Sequence, residues 1–311
     1  MSSPFATILI NNYNYGRYLG RAIESALGQT YGSTEVVVVD DGSSDESPAI
    51  ISGYGKRIVP VFKPNGGQAS AFNIGVAASR GDIICLLDAD DFFHARKVET
   101  VVERFVELGY CSQPILVHHP LEIFDNVRGQ MTGRIMGCSH ESPLNLYGYA
   151  RKYKHVPYPA APTSGVSINR ILVNRLFPLP ESGVMTSADD LVVKGAALIA
   201  HLYALDQVLG GYRVHGGNRW FGARRTIPRE FIRALDEYLN RKLEENGLSP
   251  TICWDDSMYS WSNLALNKRW LELGRKIFLA LLRQRDLHTA KFVYWTMKVE
   301  AAELLLRIGR R

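Results

Sequence analysis

The chain has 311 residues, 46% hydrophobic and 22% charged, enough apolar material for one large core or two modest ones, and this excludes a disordered or fibrous protein. A formal net charge of +5 suits anionic small ligands, nucleic acid and an anionic membrane surface about equally, so charge selects none of them. Cys85, Cys111, Cys138 and Cys253 show no C-x-x-C spacing, which argues against a zinc knuckle or a disulfide framework and for a reducing, cytoplasmic setting.

Met1 to Thr7 holds no basic stretch leading into an apolar run, so no secretion signal is expected. The first strand is predicted at Ala6 to Ile10, followed by a helix from Tyr18 to Leu27 with Leu19, Ile23, Ala26 and Leu27 at helical spacing. Glu35 to Val39 reads as a strand covered on both faces. A helix from Pro48, a strand at Ile58 to Phe62, a helix at Ala69 to Ala78 and a strand at Ile83 to Leu87 continue the alternation. Roughly the first 110 residues therefore predict an α/β sheet covered by helices. From Tyr110 to Asn218 the periodicity weakens: one strand is expected at Ile115 to His118, and Pro157 to Pro162 must be extended or looped. Beyond Trp220 the chain turns helical, with Phe231, Leu235, Tyr238, Leu239 and Leu243 on one face and further runs over Trp261 to Leu282 and Thr289 to Arg307. No run of about 18 apolar residues occurs, so a membrane-spanning helix is not expected.

Ligands of open α/β sheets bind at the carboxyl ends of strands, and four such ends here are polar. They are Asn11 to Asn14, Asp40 to Asp45, Asn65 to Gln68, and Asp88-Ala89-Asp90-Asp91. Clustered carboxylates repel one another and lose hydration, which a divalent cation compensates most simply. Mg2+ and Mn2+ take oxygen ligands from one or two carboxylates together with substrate phosphates, and Asp88 with Asp90 meets that need. The competing reading has Asp90 or Asp91 capping a helix that starts near Ala95. Asp41 is placed to accept from a nucleobase N–H, while an Asx-turn with Gly42 competes as the reading of Asp40. Gly66 and Gly67 allow close approach of the backbone to a ligand, and Gln68 opens a helix whose free N–H groups favour an anion.

Taken together, the segments from Ile8 to Asn14, Val36 to Ser44, Asn65 to Gln68, Asn73 to Gly75, Gly81-Asp82 and Leu87 to Asp91 resemble the family 2 glycosyltransferases in order and spacing over about the first 95 residues. The resemblance implies a GT-A fold: an α/β, Rossmann-like mixed sheet that binds a nucleotide-diphosphate sugar through a D-x-D metal site, with inversion at the anomeric carbon. Carried over residue by residue, it implies Asp41 at the nucleobase with Asn12 and Tyr13 beside it, Asp88 near ribose and metal, and Asp90 as direct metal ligand. Phe72 is a departure, because many members carry Arg before the following Asn.

A displacement at an anomeric carbon needs a carboxylate beside the attacking hydroxyl. Ser187 to Lys194 resembles the acidic motif of the family, which makes Asp189 or Asp190 the base; N-terminal helix capping competes for one of the two. Tyr212 to Asn218 resembles the family's Y-R-x-H-x-x-N segment, with Arg213 expected at the leaving diphosphate and His215 at the metal or a phosphate. Trp220 is expected to stack on a sugar or to pack, and His118-His119 to be structural or on the acceptor side.

The expected division is residues 1–110 as the nucleotide-sugar half, 111–218 as the acceptor half of the same domain, and 219–311 as a helical C-terminal region. The basic residues from Arg275 to Arg311 form a face suited either to peripheral contact with an anionic membrane or to ordinary solvation. The implied partners are a nucleotide-diphosphate donor, UDP by family habit, and a hydroxyl acceptor of polysaccharide or glycoconjugate synthesis, with Mg2+ or Mn2+. Two rivals stay open. A sugar nucleotidyltransferase should open with a Gly-rich basic loop after the first strand, where Asn11 to Asn14 stands instead; a non-catalytic nucleotide-sugar sensor would tolerate loss of the base. A nucleic-acid module is not expected, since the α/β half has no basic stripe interleaved with aromatics.

Overall fold

The computed structural model of the chain describes residues 3–137, 143–218 and 228–257, together with Ser260 and Glu272. Trp220, Cys138 and the helical runs expected over Trp261 to Leu282 and Thr289 to Arg307, with their basic face, lie outside the described residues.

The N-terminal alternation forms as expected. It runs β1 (Ala6–Asn12), α1 (Gly16–Leu27), β2 (Thr34–Asp40), α2 (Ser47–Gly53), β3 (Val59–Phe62), α3 (Gln68–Ala78) and β4 (Ile83–Asp88). The apolar run of β2 is buried from Glu35 onward because helices cover both faces. Leu19, Ala22, Ile23 and Ala26 of α1 share one buried stripe at the spacing of a helix face. They pack with Ile8 and Ile10 of β1, both fully buried, where truncation of an isoleucine to alanine costs about 2–5 kcal/mol.

The short strand β5 (Phe92–Phe93) and α4 (Lys97–Glu107) follow. Beyond Tyr110 the chain adds β6 (Ile115–His118), β7 (Leu121–Asp125), β8 (Gln130–Met136), α5 (Tyr147–Tyr153), β9 (Val166–Asn169), α6 (Arg170–Leu176), α7 (Ala188–Ile199), β10 (His201–Ala204), β11 (Gly210–Val214) and α8 (Arg229–Glu245). Of these strands the pattern of the sequence marks β6 clearly and β11 in outline. The others are two to seven residues long, and β8 is mostly exposed, so neither length nor alternation separates them from loops.

A seven-stranded mixed sheet has the order β10-β6-β9-β4-β1-β2-β3, and a four-stranded sheet the order β5-β11-β7-β8. In the large sheet β9 alone runs against its neighbours, β4 and β6. The chain leaves β1 for β2 and β3 on one side and returns to β4 on the other. That reversal opens a crevice at the carboxyl ends of β1 and β4, where ligands of such sheets bind.

Two compact units are distinguished. The first comprises Met1–Tyr147 with Pro157–Pro250, and the second Gly148–Val156 with Thr251–Arg311. The first unit thus runs past the expected division at residue 218 and includes α8, whose buried stripe of Phe231, Leu235, Tyr238, Leu239 and Leu243 matches the expected face. Within the second unit the Tyr149 and Tyr153 rings lie 4.5 Å apart, and the Cys253 N–H donates to the Lys154 carbonyl. Among the described residues no helix is long and apolar enough to cross a membrane.

Candidate active site

The parallel register of the large sheet sets its polar strand ends side by side. Asn11 pairs with Asp88, and Asn12 with Asp40. Accordingly Asn11 Nδ2 donates to Asp88 Oδ1 at 2.8 Å, and Asn12 Nδ2 donates to Asp40 Oδ1 at 2.8 Å. Asp40 Oδ2 accepts the Ser43 N–H, so Asp40 serves the turn after β2. Asn12 Oδ1 is buried and has no hydrogen-bond partner. Tyr13 is exposed beside it.

Asp41 is buried, and its carboxylate pairs with Lys63 and accepts the N–H groups of Gly66 (3.0 Å) and Gly67 (2.8 Å). The acidic end of β2 is thereby tied to the glycine turn before α3. Gly67 has φ +85°, and a Cβ there would lie 2.7 Å from the Met185 Cα, so left-handed backbone and lack of space both require glycine. At the start of α3 the Gln68 N–H donates to the Met185 carbonyl, because the 177–187 segment lies against this end of the helix.

Asp88, Asp90 and Asp91 each place a carboxylate oxygen so that all three lie within 4.8 Å of one another. Burial and the neighbouring Asp90 push Asp88 up to about 7, and burial with the same neighbours raises Asp91 well above the usual carboxylate range. Buried carboxyls such as Asp88 and Asp91 hold their protons in the absence of a countercharge and ionise beside a cation. The clustering of the three and their hard oxygen donors fit a divalent metal. Asp91 does not cap a helix. α4 begins at Lys97 after Arg96, without a side-chain cap, and the buried Asp91 instead accepts from Ser164 Oγ (2.7 Å) and from the Arg213 N–H (2.9 Å).

The end of β11 faces this cluster. His215 Nε2 lies 3.0 Å from Asp90 Oδ2. Its ring stacks against Tyr18 at 4.7 Å and meets the edge of Tyr15 at 5.7 Å, while Asn218 Oδ1 accepts the His215 N–H. Arg213 is buried, with Nε donating to the Asp90 carbonyl (2.7 Å) and one terminal nitrogen to Asn126 Oδ1 (3.0 Å). Its guanidinium lies 5.1 Å from the Tyr18 ring centre and 5.0 Å from that of Phe124. These contacts hold the Asp90 backbone from behind.

Asp189 and Asp190 occupy the first turn of α7, where the helix dipole favours negative charge. Neither is the N-cap, which is Ser187. Asp190 pairs with Lys194 at 2.7 Å one turn on. Asp189 pairs with no cation among the described residues: burial and the neighbouring Asp190 push it up to about 6, and Tyr158 donates to its Oδ2 at 2.9 Å. Gln68 joins this turn to the acidic cluster. Its Oε1 accepts the Ala188 N–H at 3.0 Å, which turns Nε2 toward Asp88 Oδ1 at 3.4 Å.

Three residues at the site carried no signal in the sequence pattern. Ser164 accepts the Asp88 N–H (3.1 Å) while donating to Asp91, Tyr18 packs on His215, and Tyr158 meets Asp189. Each gains its role from a partner far away in the chain. His118 and His119 are both fully buried, and neither belongs to the acidic cluster found among the described residues.

Comparison with known proteins agrees with this geometry. Residues 7–168 match the model described as Glycosyl transferase family 2. An uncharacterized glycosyltransferase of Nostoc sp. is 33% identical over 226 residues, covering 70% of this chain and 67% of that protein. A chondroitin synthase of Pasteurella multocida is 37% identical over 107 residues, 33% of this chain and 11% of that one. Among solved structures, S. aureus TarS 1-349 in complex with UDP-GlcNAc superposes with a TM-score of 0.56 at 19% identity, covering 79% of this chain and 68% of that one; it shares the fold. By the extent of the family match and of the Nostoc relative, the chain belongs to the family 2 glycosyltransferases.

Proposed function

We propose that the protein is a metal-dependent inverting transferase that moves a sugar from a nucleotide diphosphate, UDP foremost, to a hydroxyl acceptor in polysaccharide or glycoconjugate synthesis. The observation that carries this reading is the meeting of Asp88, Asp90 and Asp91 with His215 at the switch point of the sheet, linked through Gln68 to the turn bearing Asp189. A UDP-sugar in the TarS structure of the same fold and a polysaccharide synthase among the relatives support the donor and product class. Cys85, Cys111 and Cys253 are free thiols, in keeping with a reducing cytoplasmic setting.

Asp90, Asp88 and His215 would hold the Mg2+ or Mn2+, with Asp91 as the buried brace behind them. When bound, the metal supplies positive charge for the departing diphosphate, an effect worth several kcal/mol. Asn12, Tyr13 and Asp41 line the nucleoside side; a carboxylate has about four lone-pair sites, and Asp41 Oδ2 accepts the Gly67 N–H. Gly67 and Gln68 bring the backbone close to the donor. Arg213 acts by fixing Asp90 and the His215 strand end. Asp189 is the base, because it is partly exposed, pairs with no cation among the described residues and has an affinity for protons matched to neutral pH, whereas Asp190 is neutralised by Lys194.

The test is a panel of nucleotide sugars with and without Mn2+, read by thermal shift and by sugar transfer. Metal-dependent stabilisation by one donor, with transfer abolished in Asp90→Ala, is the expected result. Full activity of Asp90→Ala removes the proposed site. Donor binding without turnover under all conditions would instead describe a nucleotide-sugar sensor.

A further inference from the structure

The stretch Pro157 to Pro162 reads from the sequence only as extended or looped. In the structure it reaches both halves of the site. Tyr158 Oη lies 2.9 Å from Asp189 Oδ2 and 2.9 Å from the Ala161 carbonyl oxygen. Six residues on, Ser164 grips Asp91 and the Asp88 N–H.

We propose that Tyr158 is a positioning residue that selects which oxygen of Asp189 does the chemistry: it occupies Oδ2 and leaves Oδ1 to take the proton of the acceptor hydroxyl. The proposal rests on the assignment of Asp189 as base. A phenol has one proton, and here both neighbours accept when Asp189 is ionised. The proton goes to the charged partner, since a hydrogen bond to a carboxylate is about twice as strong as one to a neutral carbonyl. Oδ2 is thereby partnered, and the carboxylate is fixed in one rotation. In the transfer step the acceptor oxygen forms its bond to the anomeric carbon, the bond from that carbon to the diphosphate oxygen breaks with its electron pair going to the diphosphate, and the hydroxyl proton moves to Asp189 Oδ1. With Asp189 neutral the preference for the carboxylate ends, and the phenol proton is free to turn to the Ala161 carbonyl. Tyr158 thus holds the base while it is ionised and releases it once it has taken the proton.

The groups that bear on Asp189 are Asp190 and Lys194 on α7, which pair with each other, Asp88 at the end of β4, and Tyr158 itself. Tyr158, the backbone N–H of Asp190 and Lys194 favour the ionised carboxylate, in that order, and Lys194 is already engaged. The hydroxyl of Tyr158 is held protonated, since burial and the Asp189 charge raise it well above its ordinary range.

The experiment compares the pH dependence of kcat/KM for wild type, Tyr158→Phe, a variant with 3-fluorotyrosine placed at 158, and Asp189→Asn. In Tyr158→Phe the acid limb should move to higher pH and kcat fall roughly tenfold or more, with donor KM within about twofold because the donor pocket is untouched. 3-Fluorotyrosine keeps the shape of the side chain and donates more strongly, so its acid limb should move the opposite way; this arm stands even if the Phe variant folds poorly. An unmoved acid limb in both position-158 variants, beside an inactive Asp189→Asn, overturns the role of Tyr158 alone. Activity retained by Asp189→Asn overturns the base assignment, and the role of Tyr158 falls with it.

Discussion

His215 Nε2 sits 3.0 Å from Asp90 Oδ2 although the two residues are 125 positions apart. The contact is made by the end of β11 meeting the turn after β4, and Tyr18 and Tyr15 hold the imidazole plane in place. Replacement His215→Ala should weaken Mn2+ by about 10- to 100-fold, the usual loss when a ligand or its close support is removed. The check is the Mn2+ concentration that half-saturates transfer. An unchanged value would mean that His215 only packs.

Asp189, pushed up to about 6, implies an acid limb in the rate profile. The active form is the ionised one, so kcat/KM should rise about tenfold per pH unit below 6 and level off above about 7. In Asp189→Asn the limb should vanish together with most of the activity, whereas Asp190→Asn should retain the limb, since Asp190 is the partner of Lys194. Initial rates from pH 5 to 8 at saturating Mn2+ decide between the two carboxylates.

His119 is fully buried, and its Nδ1 lies 3.0 Å from the Pro120 carbonyl, which can only accept. The proton of the neutral ring is therefore on Nδ1, and Nε2 is enclosed without a partner. Burial, with Lys97 nearby, pushes the imidazole down to about 3. A folded-state value below the unfolded one gives stability that is fully present above about pH 6.5 and is lost as pH falls toward the folded value. Urea unfolding of wild type and His119→Phe at pH 7 and 4.5 should show the variant losing less on acidification, by on the order of 2 kcal/mol. Equal losses would show that His119 is not the acid-sensitive group.

Gly67→Ala should cost roughly 1–3 kcal/mol of stability, since alanine at φ +85° is strained and its Cβ meets the Met185 backbone. The displaced 177–187 segment should also loosen the link from Gln68 to α7, lowering kcat in addition to raising donor KM. Denaturant unfolding and steady-state kinetics on the same preparation test both. A variant with wild-type stability would show that the two segments do not meet.

The first half of the fold was legible because its signals are local. Runs such as Val36 to Val39 can be buried only as covered strands, the stripe from Leu19 to Ala26 has helical spacing, and the polar residues that end each run stand where a parallel sheet presents ligands. Most of the second half was not, because its short strands carry too little periodicity, and β9 is a strand chiefly because β4 and β6 pair with it. The same contrast divides the site. Asp88, Asp90 and the motif that holds them follow from chain order, but whether Asp91 caps a helix or braces the cluster depended on where Ser164 and Arg213 came to rest.

By itself the sequence determined the α/β class, the order of the acidic and glycine-rich strand ends, and the kinship that these imply, since backbone preference and burial pattern act over a few residues. Only the tertiary structure separated Asp189 from Asp190, giving one to Tyr158 and the other to Lys194, and put His215 against Asp90. Proton affinity and hydrogen-bond partnership are set by what surrounds a side chain in space, and that surrounding is assembled from segments that lie far apart along the chain.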